Sequence, residues 1–323
     1  MKKIALITSG GDAPGMNACI RAIVKTALHY DIIPFGIFDG YKGMIEKRGA
    51  ELTYQDVDNI VQRGGTILGT ARCEEFRTTE GRLKAISYLK EESIDGLVVI
   101  GGDGSFMGAY LLGKEMNIPI IGIPGTIDND IFGTDHTIGY DTALNTVVEA
   151  IDKIRDTASS HHRVFFIEVM GRDAGFIALN SALASGAESV LIPEEVTNIP
   201  NLVEQIKVQN KGRRSSIVIV AEGDDGGGAK DILEKVKPHL PDFDLRHSVL
   251  GHIQRGGNPS ALDRIIATRM GSYSVELLKE GKSNIMIGVF GDNLSTCSIE
   301  EGIKENATPM MSKLDLLKTL RTQ

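Results

Sequence analysis

Two carboxylates two positions apart, Asp128 and Asp130, stand in the segment Pro124-Gly125-Thr126-Ile127-Asp128-Asn129-Asp130, with the Thr126 hydroxyl beside them. Acids so paired can divide labour: one accepts the proton of an attacking hydroxyl, while the other stays with a metal network or tunes its neighbour. An Asx-rich surface turn is the competing reading. A further acid, Asp103, is bracketed by glycines in Gly101-Gly102-Asp103-Gly104-Ser105. Such a carboxylate suits Mg2+, which takes one or two carboxylates and fills its shell with phosphates and waters, while the flanking amides take phosphate oxygens. A plain structural Gly-Asp-Gly turn is the alternative. A third segment, Thr8-Ser9-Gly10-Gly11-Asp12-Ala13-Pro14-Gly15-Met16-Asn17, lets backbone N–H groups approach a phosphate at the start of a helix. It is neither a Walker A loop, for want of Gly-Lys-Ser/Thr, nor a dinucleotide fingerprint, and a tight strand-to-helix connection accounts for it as well.

Each of these turns follows a short, nearly uninterrupted apolar run and precedes a helical pattern, which is how strands buried on both faces of a parallel sheet read. The runs are Ile4 to Ile7, Ile32 to Phe38, Gly96 to Ile100, Ile118 to Ile123, Val164 to Val169, Ser189 to Ile192, Ile217 to Val220 and Ile285 to Phe290. Helical periodicity marks Asn17 to His29, Leu83 to Glu91, Thr142 to Arg155 and Asp263 to Lys279. The expectation is an α/β protein of two Rossmann-like three-layer lobes, with mostly parallel sheets and a cleft between them; no internal repeat stands out.

A length of 323 residues favours two domains over one core. The composition, 41% hydrophobic and 24% charged, is that of an ordinary globular protein without low-complexity tracts. A net charge of −8 argues against a general nucleic-acid surface, so any anion must be caught locally. Cys19, Cys73 and Cys297 are odd in number and widely spaced, forming neither a disulfide framework nor a zinc pattern, which fits a reducing cytosol. The first apolar run is broken by Gly10, Gly11, Asp12 and Pro14 too soon for a signal-peptide core, and no stretch approaches the roughly 20 apolar residues of a membrane span.

Taken in order, the three turns resemble the bacterial ATP-dependent 6-phosphofructokinase family, and the likeness runs over essentially the whole chain. Arg63-Gly64-Gly65-Thr66-Ile67-Leu68-Gly69-Thr70-Ala71-Arg72, Val169-Met170-Gly171-Arg172 and Gly251-His252-Ile253-Gln254-Arg255-Gly256-Gly257 extend it. The resemblance implies a cytoplasmic glycolytic kinase that moves the γ-phosphoryl group of Mg·ATP to the 1-hydroxyl of fructose 6-phosphate. Residues 1–139 and 252–305 would form the ATP-binding lobe, and 140–251 with 306–323 the sugar-phosphate lobe. It places ATP at Gly11, Arg72, Cys73, Gly102, Asp103, Gly104 and Ser105, with Mg2+ on Asp103. Catalytic roles fall to Asp128 as base, Thr126, Asp130, Arg72, Gly11 and Arg172. Sugar phosphate contacts fall to Thr126, Asp128, Arg163, Met170, Gly171, Arg172, Glu222, Arg246, His252 and Arg255.

In this family the arginines matching Arg163 and Arg246 reach the site from a neighbouring subunit, which implies an oligomer, typically a homotetramer. An effector site for ADP or phosphoenolpyruvate is implied at Arg21, Lys25, Arg155, Gly186, Glu188, Lys211, Arg213, Arg214 and Ser215. Two departures bear on it: Lys25 stands where arginine is common, replacing a bidentate fork with a point charge, and Tyr54 stands where some members carry a basic residue. Pyrophosphate-using relatives typically carry aspartate at Gly104 and lysine at Gly125, where both are glycine here, which favours ATP. The rivals are a pyrophosphate-dependent enzyme, a lipid or NAD kinase sharing only the Gly-Gly-Asp-Gly turn, and a non-catalytic nucleotide sensor of the same fold.

Overall fold

The computed structural model describes residues 1–161, 163–209 and 215–320. The first half of the described chain runs β1 (Lys3–Thr8), α1 (Met16–His29), β2 (Ile33–Ile37), α2 (Gly40–Ile45), β3 (Gly49–Glu51), α3 (Thr79–Glu91), β4 (Gly96–Gly101), α4 (Asp103–Met116), β5 (Ile120–Thr126), β6 (Ile138–Gly139) and α5 (Tyr140–His161). It continues through β7 (Arg163–Val169), α6 (Phe176–Ser185), β8 (Ser189–Leu191), α7 (Ile199–Gln209), β9 (Ser216–Ala221), α8 (Ala229–Val236) and β10 (Asp244–Val249). The last elements are α9 (Ala261–Lys279), β11 (Ile285–Phe290), β12 (Asn293–Ser298), α10 (Ile299–Lys304) and α11 (Ser312–Leu320).

Two compact units result. The first holds Met1–Ile127, Ile131–Thr142 and Arg255–Ala307, and the second Asp128–Asp130, Ala143–Gln254 and Thr308–Gln323, so Gly251 to Gln254 cluster with the second.

In the first unit the sheet order is β12-β11-β5-β4-β1-β2-β3, with β6 beside β5. All pairings are parallel except the two edges, β11 with β12 and β2 with β3. Ala5 and Ile7 of β1 join Phe35, Tyr88, Leu97 and Phe106 in one core, while Ile4 and Leu6 are equally buried. Alternation along the pleat therefore buries both faces, which is why these strands read as continuous apolar runs. On α9, Gly271 allows close approach to α1, since a Cβ there would lie 2.7 Å from the Cys19 carbonyl and 2.9 Å from Ala22 Cβ.

The second unit is built on the all-parallel sheet β10-β7-β9-β8. Val164, Phe166, Val218 and Val220 pack against Leu202, Val203 and Ile206 of α7 and Ile232, Leu233 and Val236 of α8. The α/β architecture with two mostly parallel sheets is the one expected.

Four strands escaped the apolar-run reading: β3, β6, β10 and β12. Two of them are polar edge strands, Asp244-Leu245-Arg246-His247-Ser248-Val249 and Asn293-Leu294-Ser295-Thr296-Cys297-Ser298, partly exposed and without a continuous apolar run. The Gly101 to Ser105 segment also differs from a simple turn, because α4 starts inside it at Asp103 with Gly102 as its N-cap. Among the described residues, no helix is long and apolar enough to cross a membrane.

Candidate active site

In the first unit, β5, β4 and β1 are adjacent and parallel, so their carboxyl ends lie side by side. These ends carry Thr126, the Gly101 to Ser105 turn and the Thr8 to Asn17 turn, which is where ligands sit in open α/β sheets. Contact is direct: Ser9 N–H donates to the Ile100 carbonyl at 3.0 Å. A Cβ on Gly101 would lie 2.5 Å from the Ser9 carbonyl, and one on Gly102 would meet Thr126 Cβ at 3.9 Å. Only glycine fits at 101.

Asp103 occupies the first turn of α4, half-buried, with its Oδ1 accepting from Gly104 N–H at 2.9 Å. The helix N-terminus supplies backbone N–H groups and a favourable field for phosphate. Among the described residues no three His, Cys, Asp or Glu side chains gather into a metal cage. One half-exposed carboxylate beside a phosphate-binding turn is the donor set of a magnesium ion completed by substrate oxygens and water, so the residues present fit that ion.

Ser105 is buried, and its carbonyl accepts from Tyr41 Oη at 2.6 Å. Tyr41 stacks on Phe76 with centroids 4.0 Å apart and planes 18° apart, tying the segment after Arg72 to the start of α4. The Arg63 to Arg72 loop is held by Asn17, which is 1% exposed. Asn17 Nδ2 donates to the carbonyls of Arg63 and Gly64, both at 3.1 Å, and its Oδ1 accepts from Ile67 N–H at 2.7 Å. Thr70 Oγ1 donates to the Gly10 carbonyl at 2.7 Å. Arg72 ends this loop exposed, and Cys73 beside it is half-buried against the apolar core. A Cβ on Gly11 would run into the Arg255 guanidinium, so that cation lies directly against the phosphate turn. Burial pushes the Cys19 thiol well above its ordinary value, and burial followed by Glu301 does the same for Cys297, so neither offers a ready thiolate.

In the second unit, Asp128 is 3% exposed, and Asn129 at φ 56° turns the chain toward half-buried Asp130. Asp130 Oδ2 lies 3.8 Å from Arg172 Nη1. Arg172 sits at φ 53°, a conformation stabilised by the Glu222 carboxylate: its Oε1 accepts from Arg172 N–H at 2.8 Å and Gly171 N–H at 3.3 Å. Met170 N–H donates to Oε1 of fully buried Gln254 at 3.1 Å, and Gln254 Nε2 donates to the Gly251 carbonyl at 3.0 Å. The structure thus gathers Asp130, Met170, Gly171, Arg172 and Glu222, with exposed His252 in the adjoining 3-10 turn.

Arg163 and Arg246 are elsewhere. Both bind Asp244, Arg163 Nε to Oδ2 at 2.7 Å and Arg246 Nη2 to Oδ1 at 2.9 Å, and Arg163 chiefly holds that carboxyl below its ordinary range. Arg163 starts β7 whereas Met170 follows its end. Seven residues of strand put about 20 Å between them, so within one chain these arginines do not join Arg172.

Of the residues expected to bind an effector, Arg155, Gly186 and Glu188 meet in the second unit. The Arg155 guanidinium donates to the Ser185 and Gly186 carbonyls at 3.1 and 3.2 Å and lies 3.4 Å from Glu188 Oε1. Glu188 Oε2 accepts from Ile217 N–H at 2.7 Å. Arg21 and Lys25 lie on α1 in the first unit, where Lys25 Nζ is 3.6 Å from Asp58 and 5.8 Å from the Tyr54 ring centroid. Ser215 is half-buried, and Lys211, Arg213 and Arg214 lie outside the described residues. Asn17, Gln254 and Asp244 shape these sites without having been singled out from sequence; Asn17 had a signal as the last residue of the first turn and Gln254 as a member of the Gly251 to Gly257 motif, whereas Asp244 had none.

The phosphofructokinase family profile matches residues 3–278. The chain is 51% identical over 321 residues to the ATP-dependent 6-phosphofructokinase 2 of Bacteroides thetaiotaomicron, covering 99% of this chain and 98% of that protein. Its identity to the ATP-dependent 6-phosphofructokinase of Bacillus subtilis is also 51% over 321 residues, 99% of each chain. It superposes with a TM-score of 0.89 on phosphofructokinase from Saccharomyces cerevisiae, 36% identical, covering 99% of this chain and 47% of the yeast chain. The pyrophosphate-dependent phosphofructokinase of Marinobacter aquaeolei, TM-score 0.87 at 22% identity over 100% of this chain and 92% of that one, shares the fold. With a family match across both units and full-length relatives at half identity, the chain belongs to the phosphofructokinase family.

Proposed function

We propose that this chain is a 6-phosphofructokinase that transfers the γ-phosphoryl group of ATP to the 1-hydroxyl of fructose 6-phosphate, giving fructose 1,6-bisphosphate and ADP. The observation that carries the reading is the side-by-side placement of the Gly10–Gly11 turn, Asp103 and Thr126 at the ends of β1, β4 and β5, with Asp128 two residues beyond.

Phosphoryl transfer is mainly positioning and neutralisation of charge on the moving group. Backbone N–H groups of Gly11 and of the α4 N-terminus hold the donor phosphates, and Arg72 bridges donor and acceptor. Asp103 would hold Mg2+, which would supply neutralisation of charge on the phosphates. Asp128 accepts the proton of the 1-hydroxyl. A carboxylate suffices, because that hydroxyl turns acidic as its bond to phosphorus forms and alignment supplies much of the rate. Thr126 and Asp130 align the reacting groups, with Arg172 beside Asp130. Met170, Gly171, Arg172, Glu222, His252 and Arg255 bind the sugar phosphate, joined by Arg163 and Arg246 of a neighbouring subunit in a cytoplasmic homotetramer. The 20 Å of β7 between Arg163 and Met170 supports the shared site.

ATP is favoured over pyrophosphate. A side chain at Gly104 would project into open space, which ATP can use, and a Cβ at Gly125 is already hemmed by Ile100 at 3.1 Å and Met16 at 3.2 Å, so a lysine there needs its neighbours to move. Arg155, Gly186 and Glu188, with Arg21 and Lys25, form the basis of an effector site for ADP or phosphoenolpyruvate. The Asp58 and Tyr54 contacts of Lys25 compete for its charge and weaken that response.

The deciding experiment is steady-state turnover of fructose 6-phosphate with Mg·ATP and separately with Mg·pyrophosphate, for the wild type and Asp128→Ser. Activity with ATP alone, falling 10²- to 10⁴-fold in the variant, is expected. Activity with pyrophosphate alone overturns the donor assignment, undiminished turnover in the variant overturns the base, and inactivity with both leaves a nucleotide sensor.

A further inference from the structure

Asp263 is 1% exposed, and burial raises its carboxyl pKa despite three hydrogen-bond donors aimed at it. Oδ1 accepts from Gly139 N–H at 2.8 Å; Oδ2 accepts from Thr142 N–H at 2.8 Å and from the Thr142 hydroxyl. That hydroxyl in turn accepts from Ser260 N–H at 2.9 Å, which fixes it as a donor toward Asp263. Nothing in the phosphoryl-transfer mechanism above uses this group.

Its partners explain its placement. Gly139 is the parallel-bridge neighbour of Thr126, and Thr137 Oγ1 donates to the Thr126 carbonyl at 2.6 Å, so the 137–139 segment is what holds the end of β5. Gly139 sits at φ 104°, where a Cβ would lie 2.6 Å from Ala13 and 3.2 Å from Pro14. A Cβ on Gly15, at φ 109°, would meet Ile138 at 2.7 Å and Asp263 Cβ at 3.5 Å. Asp263 therefore stands where the phosphate turn, the Thr126 strand end and the start of α5 meet, all within the first unit.

We propose that Asp263 is a positioning residue for phosphoryl transfer: by clamping Gly139 and Thr142 it sets Thr126 against the phosphate loop. The inference rests on the reading of Thr126 as a reacting-centre group. Asp263→Asn is the test, since one carboxylate oxygen becomes an amide NH2 facing N–H or O–H donors that no longer find an acceptor.

A displacement of about 1 Å at a reacting centre costs on the order of 100-fold. The variant is therefore expected to lose about 10- to 100-fold in kcat per folded site, with KM for ATP and fructose 6-phosphate changed less than about threefold. Combined with Thr126→Ala, it should add little to the loss of Thr126→Ala alone, because both act through one group. A residue that merely stabilises the fold lowers the amount of active enzyme and multiplies with Thr126→Ala. Should Asp263→Asn not fold, Thr142→Val removes only the hydroxyl that donates to Asp263 and accepts from Ser260 N–H, and is judged by the same coupling. Unchanged kcat, or independent multiplying losses, overturns the role of Asp263. If Thr126→Ala alone leaves kcat intact, the error lies in the Thr126 assignment, and the inference falls with it.

Discussion

Mixing two crippled variants tests the shared site directly. Asp128→Ser removes the proposed base from one chain, and Arg246→Ala removes a proposed sugar-phosphate cation from another. A charge-assisted hydrogen bond to phosphate contributes about 1.5–3 kcal/mol, so Arg246→Ala should raise KM for fructose 6-phosphate roughly 10- to 150-fold and leave kcat close to normal. Assayed far below that KM, each parent is nearly silent. Arg246 pairs with Phe165 near the start of β7, and Arg172 lies beyond the end of the same strand, so one chain cannot supply both to one phosphate. If each site takes Asp128 from one chain and Arg246 from its neighbour, random 1:1 hybrids restore both groups at about one site in four. Subunits unfolded together and refolded, then assayed at low fructose 6-phosphate, should therefore recover about a quarter of the wild-type rate. A rate no higher than the mean of the separately refolded parents refutes the argument, because complementation cannot occur when a site is built from a single chain.

Asn17→Ala leaves the half-buried Ile67 N–H without its acceptor, at a cost of about 1 kcal/mol. The thermal midpoint should fall, and KM for ATP should rise more than KM for fructose 6-phosphate, because the loop so loosened ends at Arg72. An unchanged nucleotide KM would show that the loop does not meet ATP. Asp263 gives a pH signature: its folded pKa is raised, so its contribution to stability is full below the ordinary carboxylate value and is lost as pH rises through the raised one. The urea midpoint of the wild type relative to Asp263→Asn should therefore decline with rising pH over that window, and a relative midpoint that climbs contradicts the burial argument.

The sheet skeleton was legible because β1, β4, β5, β7 and β9 are buried on both faces and admit almost nothing polar. The edges were not: β10 carries Asp244, Arg246, His247 and Ser248 on a partly exposed strand, so it has no continuous apolar run. The start of α4 was hidden by the glycines at 101, 102 and 104, which read as a turn, and by Gly108, whose Cβ would lie 2.8 Å from the Tyr41 ring. Glycine lowers helix propensity, and here close packing overrides it. The chemical acids stood out because each follows a strand end. Asp263 did not, since it falls three residues after Ser260, in the place of an acid near a helix start. Ser260 does cap α9, accepting from Asp263 N–H at 3.2 Å, but the carboxylate serves a segment more than a hundred residues away. Local pattern carries the cap and is silent about the long-range bond.

On the proposed assignment, a chain of net charge −8 binds dianionic sugar phosphate and polyanionic nucleotide by different means in its two units. In the first, neutral backbone N–H groups at glycine turns do much of the work. In the second, the arginines come with carboxylates already beside them, Asp130 for Arg172 and Asp244 for Arg163 and Arg246. Such pairs orient a guanidinium without sequestering it. The side chains of Arg172 and Arg246 are 53% and 52% exposed, and exposed pairs are worth only about 0–1 kcal/mol against roughly 1.5–3 for a charged phosphate contact. On the proposed assignment, an incoming phosphate outcompetes the carboxylate while inheriting the geometry it imposed. Sugar-phosphate affinity is then a difference between two partners for the same cation, and replacing the carboxylate acts on it twice in opposite senses, freeing the charge and loosening its aim.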